Sequence, residues 1–259
     1  MIDIGANLSH DSFRDDFDAV IERAKLAQIE NLILTGTDIE SNQRAIELCQ
    51  HYPGYLYSTV GLHPHVASSY TNTVNSELRE QARQSCVKSL GETGLDFNRN
   101  YSTTKEQEYA FIEQLVLATE LNMPLFLHQR DAHERFLPIL KDFRDQLSRV
   151  VVHCFTGTKD ELFDYLDMDL YIGITGWVCD ERRGYSLHPL LKDIPDNRLM
   201  LETDAPYLLP RNIEPKPATR RNEPANLSFV LDMVSKCLEK SVENVAFQTS
   251  SNARNFFAL

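Results

Sequence analysis

One stretch of the sequence limits the possible folds more than any other: Pro124 to Gly157, PLFLHQRDAHERFLPILKDFRDQLSRVVVHCFTG. It reads as strand, helix, strand. PLFLH and RVVVH are short continuous apolar runs, the pattern of parallel strands buried on both faces. Between them lie roughly a dozen residues with helical spacing. Each run ends in a histidine, His128 and His153. Side chains at the carboxyl ends of parallel strands point into the ligand crevice. Two imidazoles on neighbouring strands there can hold a metal; taken singly, each is equally a hydrogen-bonded core histidine.

The same unit recurs along the chain. MIDIG, NLILTGT, YLYSTVGLH and VKSLGETG read as four earlier strands, and LYIGITG and RLMLETD as two later ones. Helices are expected over Phe13 to Ala27, Val74 to Ser85, and from Thr104 to near Leu121, with a short one near Leu187 to Leu191. Two more close the chain, about Pro224 to Glu239 and Val242 to Phe257. Thr37 with Glu40, Thr104 with Gln107, Asp131 with Glu134 and Thr158 with Glu161 have the spacing of helix capping boxes. Eight strand–helix units predict an α/β fold, a (β/α)8 TIM barrel. No linker or low-complexity segment divides it, so residues 1–259 read as one domain.

Composition excludes several classes. No apolar run reaches the ~20 residues a bilayer span requires, and MIDIGANLSHD enters a strand with no basic leader. Five scattered cysteines, odd in number and without a CxxC pair, suit reduced thiols in a cytoplasmic protein. Cys154, next to His153, reads as a small buried hydrophobe rather than a ligand. A net charge of −12 is unfavourable for gripping long nucleic acid. Locally the balance reverses: between Ala205 and Asn222, Arg211, Lys216, Arg220 and Arg221 face only Glu214. Arg182 and Arg183 stand in the preceding loop, partly offset by Asp180 and Glu181.

Barrel enzymes carry their chemistry at strand carboxyl ends. The polar residues there are Asp3 and Asn7, His63 and His65, Glu92 and Asp96, His128, His153, then Glu202 and Asp204. Alternation along a strand turns Glu202 and Asp204 to one side, the barrel interior. Glu92, His128, His153 and Asp204 supply two imidazoles and two carboxylates, a set suited to Mg²⁺, Mn²⁺ or Zn²⁺. A metal there makes a water more acidic and polarises a substrate oxygen. Asp204 and Glu92 are the candidate catalytic carboxylates, with Asp204 placed to take a proton from that water. His63 and His65 are left as indirect supports of the site, phosphate contacts or acids for a leaving group. Trp177 and Tyr207 sit in arginine-bearing loops, where an aromatic ring either stacks on a base or simply packs.

These segments resemble the TatD-type metal-dependent DNases of the amidohydrolase-like barrels. GLHPH, LGETGLDFNRN, PLFLHQRDAHERF, VVHCFTGT, YIGITGWVCDERRG, LETDAPYLLPR and RRNEPA carry the resemblance over almost the whole chain. It implies a (β/α)8 hydrolase cutting phosphodiesters with a divalent metal, Mg²⁺ foremost. The expected activity is a 3′→5′ exonuclease on single-stranded DNA ends, with RNA a further substrate, in DNA repair or nucleic-acid turnover. Glu92, His128, His153 and Asp204 match the family's metal and catalytic positions. Phosphate contacts are expected from His63, His65, Arg130, Arg182, Tyr207 and Arg221. The family's D-x-H-x-H after the first strand is here Asp3-Ile4-Gly5-Ala6-Asn7, without either histidine. Asp3 and Asn7 are therefore expected to hold at most a weak second ion. A monomer without membrane contact is expected. The rival readings are an amidase, deacylase or lactonase on the same barrel, since Lewis-acid chemistry serves carbonyl and phosphate alike, or a binding protein that has lost turnover.

Overall fold

The apolar runs become eight strands: β1 (Ile2–Ala6), β2 (Asn31–Leu34), β3 (Leu56–Val60), β4 (Val87–Asp96), β5 (Leu125–Arg130), β6 (Val150–Val152), β7 (Tyr171–Ile174) and β8 (Leu199–Leu201). They form one sheet in sequence order. The structure, a computed structural model, describes residues 1–259. Helices follow most strands: α1 (Phe17–Leu26), α2 (Ile39–His51), α3 (Asn72–Ala82), α4 (Thr104–Leu121), α5 (His133–Phe143) and α6 (Lys159–Asp167), then α7 (Leu227–Leu238) and α8 (Val242–Phe257) after β8. Three 3-10 turns, Gly176–Cys179, Gly184–Ser186 and Leu190–Asp193, take the place of a helix after β7. This is a (β/α)8 barrel.

By packing, the chain divides into two compact units. One comprises Met1–Leu34, Cys154–Leu162 and Ile172–Leu259. Within it β1 pairs with β2 in parallel, β7 with β8, and Ala6 bridges Ala205, so the first and last strands meet. The other comprises Thr35–His153 and Phe163–Tyr171, with β3 to β6 paired in parallel. The strand cores are fully apolar where sheet meets helix: Leu125, Phe126 and Leu127 are wholly buried, as are Val150 and Val151. Residues buried on both faces explain why these strands show runs rather than alternation.

The caps correct the expected registers. Thr158 and Glu161 exchange backbone N–H bonds as anticipated. The other boxes sit one residue away: Asp38 with Ser41 opens α2, and Thr103 with Glu106 opens α4. In each case the hydroxyl or carboxylate nearest the first helical N–H wins, and neighbouring polar residues make such slips easy. Asp131 caps no helix. Its backbone is left-handed, φ 52°, and its carboxylate accepts from Asn98 Nδ2 at 2.7 Å. The first helix is also shorter than expected, because Asp11–Phe13 forms a separate 3-10 turn.

Candidate metal centre

Glu92 sits where β4 is interrupted. The β4–β5 register passes from Leu90↔Leu125 to Thr93↔Leu127, leaving one extra residue in β4. Such a bulge re-aims side chains. The Glu92 N–H donates to the Gly36 carbonyl at 2.7 Å instead of continuing the ladder. Flanking glycines are required sterically: Gly91 has φ +134° and Gly94 φ +142°, and a Cβ on either would meet the Phe126 or His128 carbonyl oxygen at 2.1 or 1.9 Å. The GETG motif is thus a backbone device for presenting one carboxylate.

Three imidazoles converge on Glu92 Oε1: His128 Nδ1 at 2.7 Å, His153 Nε2 at 2.8 Å and His63 Nε2 at 3.2 Å. The carboxylate is buried. His128 and His153 come from adjacent strands whose Leu127↔Val152 pairing brings their rings to 5.7 Å. A second carboxylate lies beside them. Asp96 Oδ2 is 2.8 Å from His65 Nε2 and 3.3 Å from His128 Nε2, while Oδ1 accepts from the N–H groups of Asn98 and Arg99.

Two buried glutamines on α4 hold the backbone that carries these groups. Gln107 Oε1 accepts from Asp96 N at 2.8 Å and its amide donates to the Asp96 and Ser102 carbonyls. Gln114, two turns on, accepts from Leu62 N at 2.8 Å and donates to the Leu62 carbonyl at 3.1 Å. Leu62 immediately precedes His63, the N-cap of the 3-10 turn Pro64–Ser69.

The charge balance is that of a ligand set. Burial favours a neutral Glu92, but the charges of His153 and His63 and hydrogen bonds from His128 and His153 hold its carboxyl well below the usual range. Burial also opposes ionisation of Asp96; the close contacts of the His128 and His65 imidazoles outweigh it and keep this acid ionised. Burial lowers the pKa of His63, whereas for His128 the two carboxylates overcome burial and raise it. Ligand atoms of His63, Glu92 and His128 all lie within 4.8 Å of one another. His128 Nε2 is buried with no aligned hydrogen-bond partner, its distance to Asp96 being a charge contact only. An orphaned buried nitrogen among carboxylates fits a divalent cation.

Other expected residues are placed differently. His63 belongs to the cluster itself rather than its surroundings, a role hidden in the sequence because Pro64 marks the end of a strand. His65 supports it through Asp96. The exposed Tyr101 stands edge-on to His65 at 4.8 Å and was not anticipated; an aromatic two residues after Arg99 was the available signal. Asp204 lies beyond β8 with φ 55°, so strand alternation does not orient it. Its backbone N–H donates to Gly5 O at 2.8 Å, and its Oδ1 accepts from Asn7 Nδ2 at 3.0 Å.

Asp3 and Asn7 have different hydrogen-bond partners, Thr203 and Gly5 for the first and Asp204 for the second. Asp3 is fully buried and accepts from Thr203 N at 2.9 Å, the Thr203 hydroxyl at 2.5 Å and Gly5 N at 3.2 Å. Glu202 accepts from Cys154 N at 2.5 Å, and Cys154 Sγ lies 3.6 Å from Thr175 Oγ1. Arg221 is tied to Asp16 at 2.7 and 2.6 Å and covers the Phe13 ring, so its guanidinium is already engaged. Arg182 is held by Asp180 in two contacts of 3.1 and 3.0 Å. Arg183 covers the Trp177 ring at 4.0 Å, which occupies one face of that indole. Arg130 and Tyr207 remain exposed.

The TatD-related DNase family model matches residues 2–258. The chain belongs to this family. Among its relatives is the 3′-5′ ssDNA/RNA exonuclease TatD of Pectobacterium atrosepticum, 49% identical with 100% of both chains covered. Solved structures agree. The TatD-family hydrolase of Entamoeba histolytica superposes with a TM-score of 0.91 at 26% identity, covering 99% of this chain and 97% of that one. The TatD homolog YJJV of Escherichia coli gives 0.90 at 25% identity, over 100% and 98%. In this TatD-family barrel, the convergence on Glu92 is a group that could hold a metal ion.

Proposed function

We propose that this chain is a divalent-metal-dependent exonuclease that removes nucleotides from the 3′ ends of single-stranded DNA, and of RNA. The observation that carries the reading is the buried Glu92 carboxylate with its three imidazoles, in a chain so similar along its full length to proteins named 3′-5′ ssDNA/RNA exonuclease. His63, Glu92, His128 and His153 would hold the ion, and Asp96 would orient His65 and His128. Their imidazoles admit Mn²⁺ or Zn²⁺, and the carboxylates admit Mg²⁺, which we retain as the working ion. When bound, such an ion polarises a phosphoryl oxygen and makes a water more acidic. Asp204, fixed by the Asn7 amide, would accept the proton from the attacking water. His65, with Nε2 on Asp96, can return a proton to the leaving oxygen. Tyr101 and Arg130 offer a ring and a charge to the terminal nucleotide.

No helix is long and apolar enough to cross a membrane. We read the protein as a cytoplasmic monomer, residues 1–259 working as one domain, with its five free cysteines kept reduced. The test is metal-stripped protein with 5′-labelled single-stranded DNA, re-supplied with Mg²⁺, Mn²⁺ or Zn²⁺. A ladder shortening from the 3′ end, made by a species of one-chain mass, is expected. Intact DNA under every ion would reject the nuclease and turn attention to amides and lactones.

A further inference from the structure

A second cationic feature involves none of the residues around Glu92. Arg182, Arg211, Lys216 and Arg220 line a cavity of about 580 Å³ whose walls include Pro210 and Pro217. This volume falls in the range of small-molecule pockets, ~300–1,000 Å³, larger than a single phosphate group needs. The charge within it is not cancelled. Asp180 holds Arg182 and approaches Arg211 Nε at 3.8 Å. Lys216 instead donates to the Arg211 carbonyl, and neither it nor Arg220 has a carboxylate partner. Glu214, in the same loop, is not part of the wall. Two proline rings and Leu209 add a rigid apolar surface beside these cations. A chemically matched ligand has anionic groups spaced along an apolar or aromatic body.

We propose that this basin binds phosphates of the single-stranded substrate other than the scissile one, so that affinity grows with strand length. This rests on the exonuclease reading. It also accounts for a nuclease with a net charge of −12: the grip is concentrated in one basin rather than spread over the surface.

The test combines Arg211→Gln, Lys216→Gln and Arg220→Gln in one variant, leaving Arg182 in place because it holds Asp180. Binding of fluorescein-labelled oligothymidylate, a trinucleotide and a dodecanucleotide, is followed by anisotropy in EDTA over a salt series. The variant should bind the dodecamer at least about tenfold more weakly, with a salt slope shallower by about 2, three contacts at ~0.7 each. Trinucleotide binding and turnover should be unchanged, as should the melting temperature. An unchanged dodecamer affinity and slope would overturn the basin. So would an equal loss for the trinucleotide, which would place these residues at the cleavage site, or wild-type binding of thymidine monophosphate there as tight as the dodecamer. Wild-type protein that binds the dodecamer length-dependently but degrades nothing would overturn the nuclease reading alone, the basin standing on the binding data.

Discussion

At the scale of single residues, Glu92 is the position on which the chemistry turns. One buried oxygen faces three imidazole nitrogens within 3.2 Å, so its charge acts on all three and favours a bound cation among them. Replacing it with Gln keeps the shape but removes the charge. We expect Glu92→Gln to lower divalent-ion affinity by more than about 100-fold, beyond what loss of an outer partner costs, and turnover with it. Calorimetric titration of the metal-free protein, beside initial rates, reads both; wild-type affinity in the variant would show that Glu92 is not a ligand. Sequence made this residue legible because GETG ends a buried run. It did not reveal that His63 points at the same oxygen, since that depends on where the chain turns after β3.

At the scale of elements, α4 positions the site while touching none of the reacting groups. Gln107 and Gln114 are wholly buried on one helical face, and each satisfies both the N–H and the C=O of one residue, Asp96 at the end of β4 and Leu62 before His63. A leucine of similar size at 114 leaves the Leu62 N–H and carbonyl buried and unpaired, each such group costing ~1–3 kcal/mol. Gln114→Leu should lower the melting temperature and depress kcat more than KM, because it displaces His63 rather than the nucleotide-binding rim. Unaltered kinetics at a lowered melting temperature would make the clamp purely structural. In the sequence Gln107 has the spacing of a capping partner for Thr104 and Gln114 is one more polar position of a helix; only packing shows that both face inward.

At the scale of the whole molecule, a buried acid lies beside the bridge between the first and last strands. β1 and β8 meet at Ala6↔Ala205, and Asp3 on β1 accepts three hydrogen bonds from Thr203 and Gly5 beside that seam. Burial raises its pKa to about 7 against the lowering effect of the Thr203 bonds. A carboxyl raised by folding contributes stability that is intact below its unfolded value of 3.8 and lost as pH rises through about 7. In EDTA the melting temperature should therefore fall between about pH 4 and about pH 7 by the equivalent of a few kcal/mol and level off above. Asp3→Asn, which cannot ionise, should flatten that fall. A variant curve parallel to wild type would mean Asp3 is ionised throughout.

What the sequence determined by itself was periodic and local. Eight apolar runs separated by helical spacing lead to a (β/α)8 barrel, because strands buried on both faces and right-handed crossovers leave few other arrangements. The same runs end in Glu92, His128 and His153, so most of the cluster could be read from strand ends. What only the tertiary structure decided concerns groups whose partners are distant in the chain. Arg221 and Arg182 read as phosphate contacts, and only the structure shows their ion pairs with Asp16 and Asp180. Asp3 reads as a candidate metal ligand, and only the structure shows that Thr203, 200 residues away, donates to both its oxygens. A side chain's residue type fixes what it can bind, but which partner it has depends on packing that brings distant segments within hydrogen-bond reach.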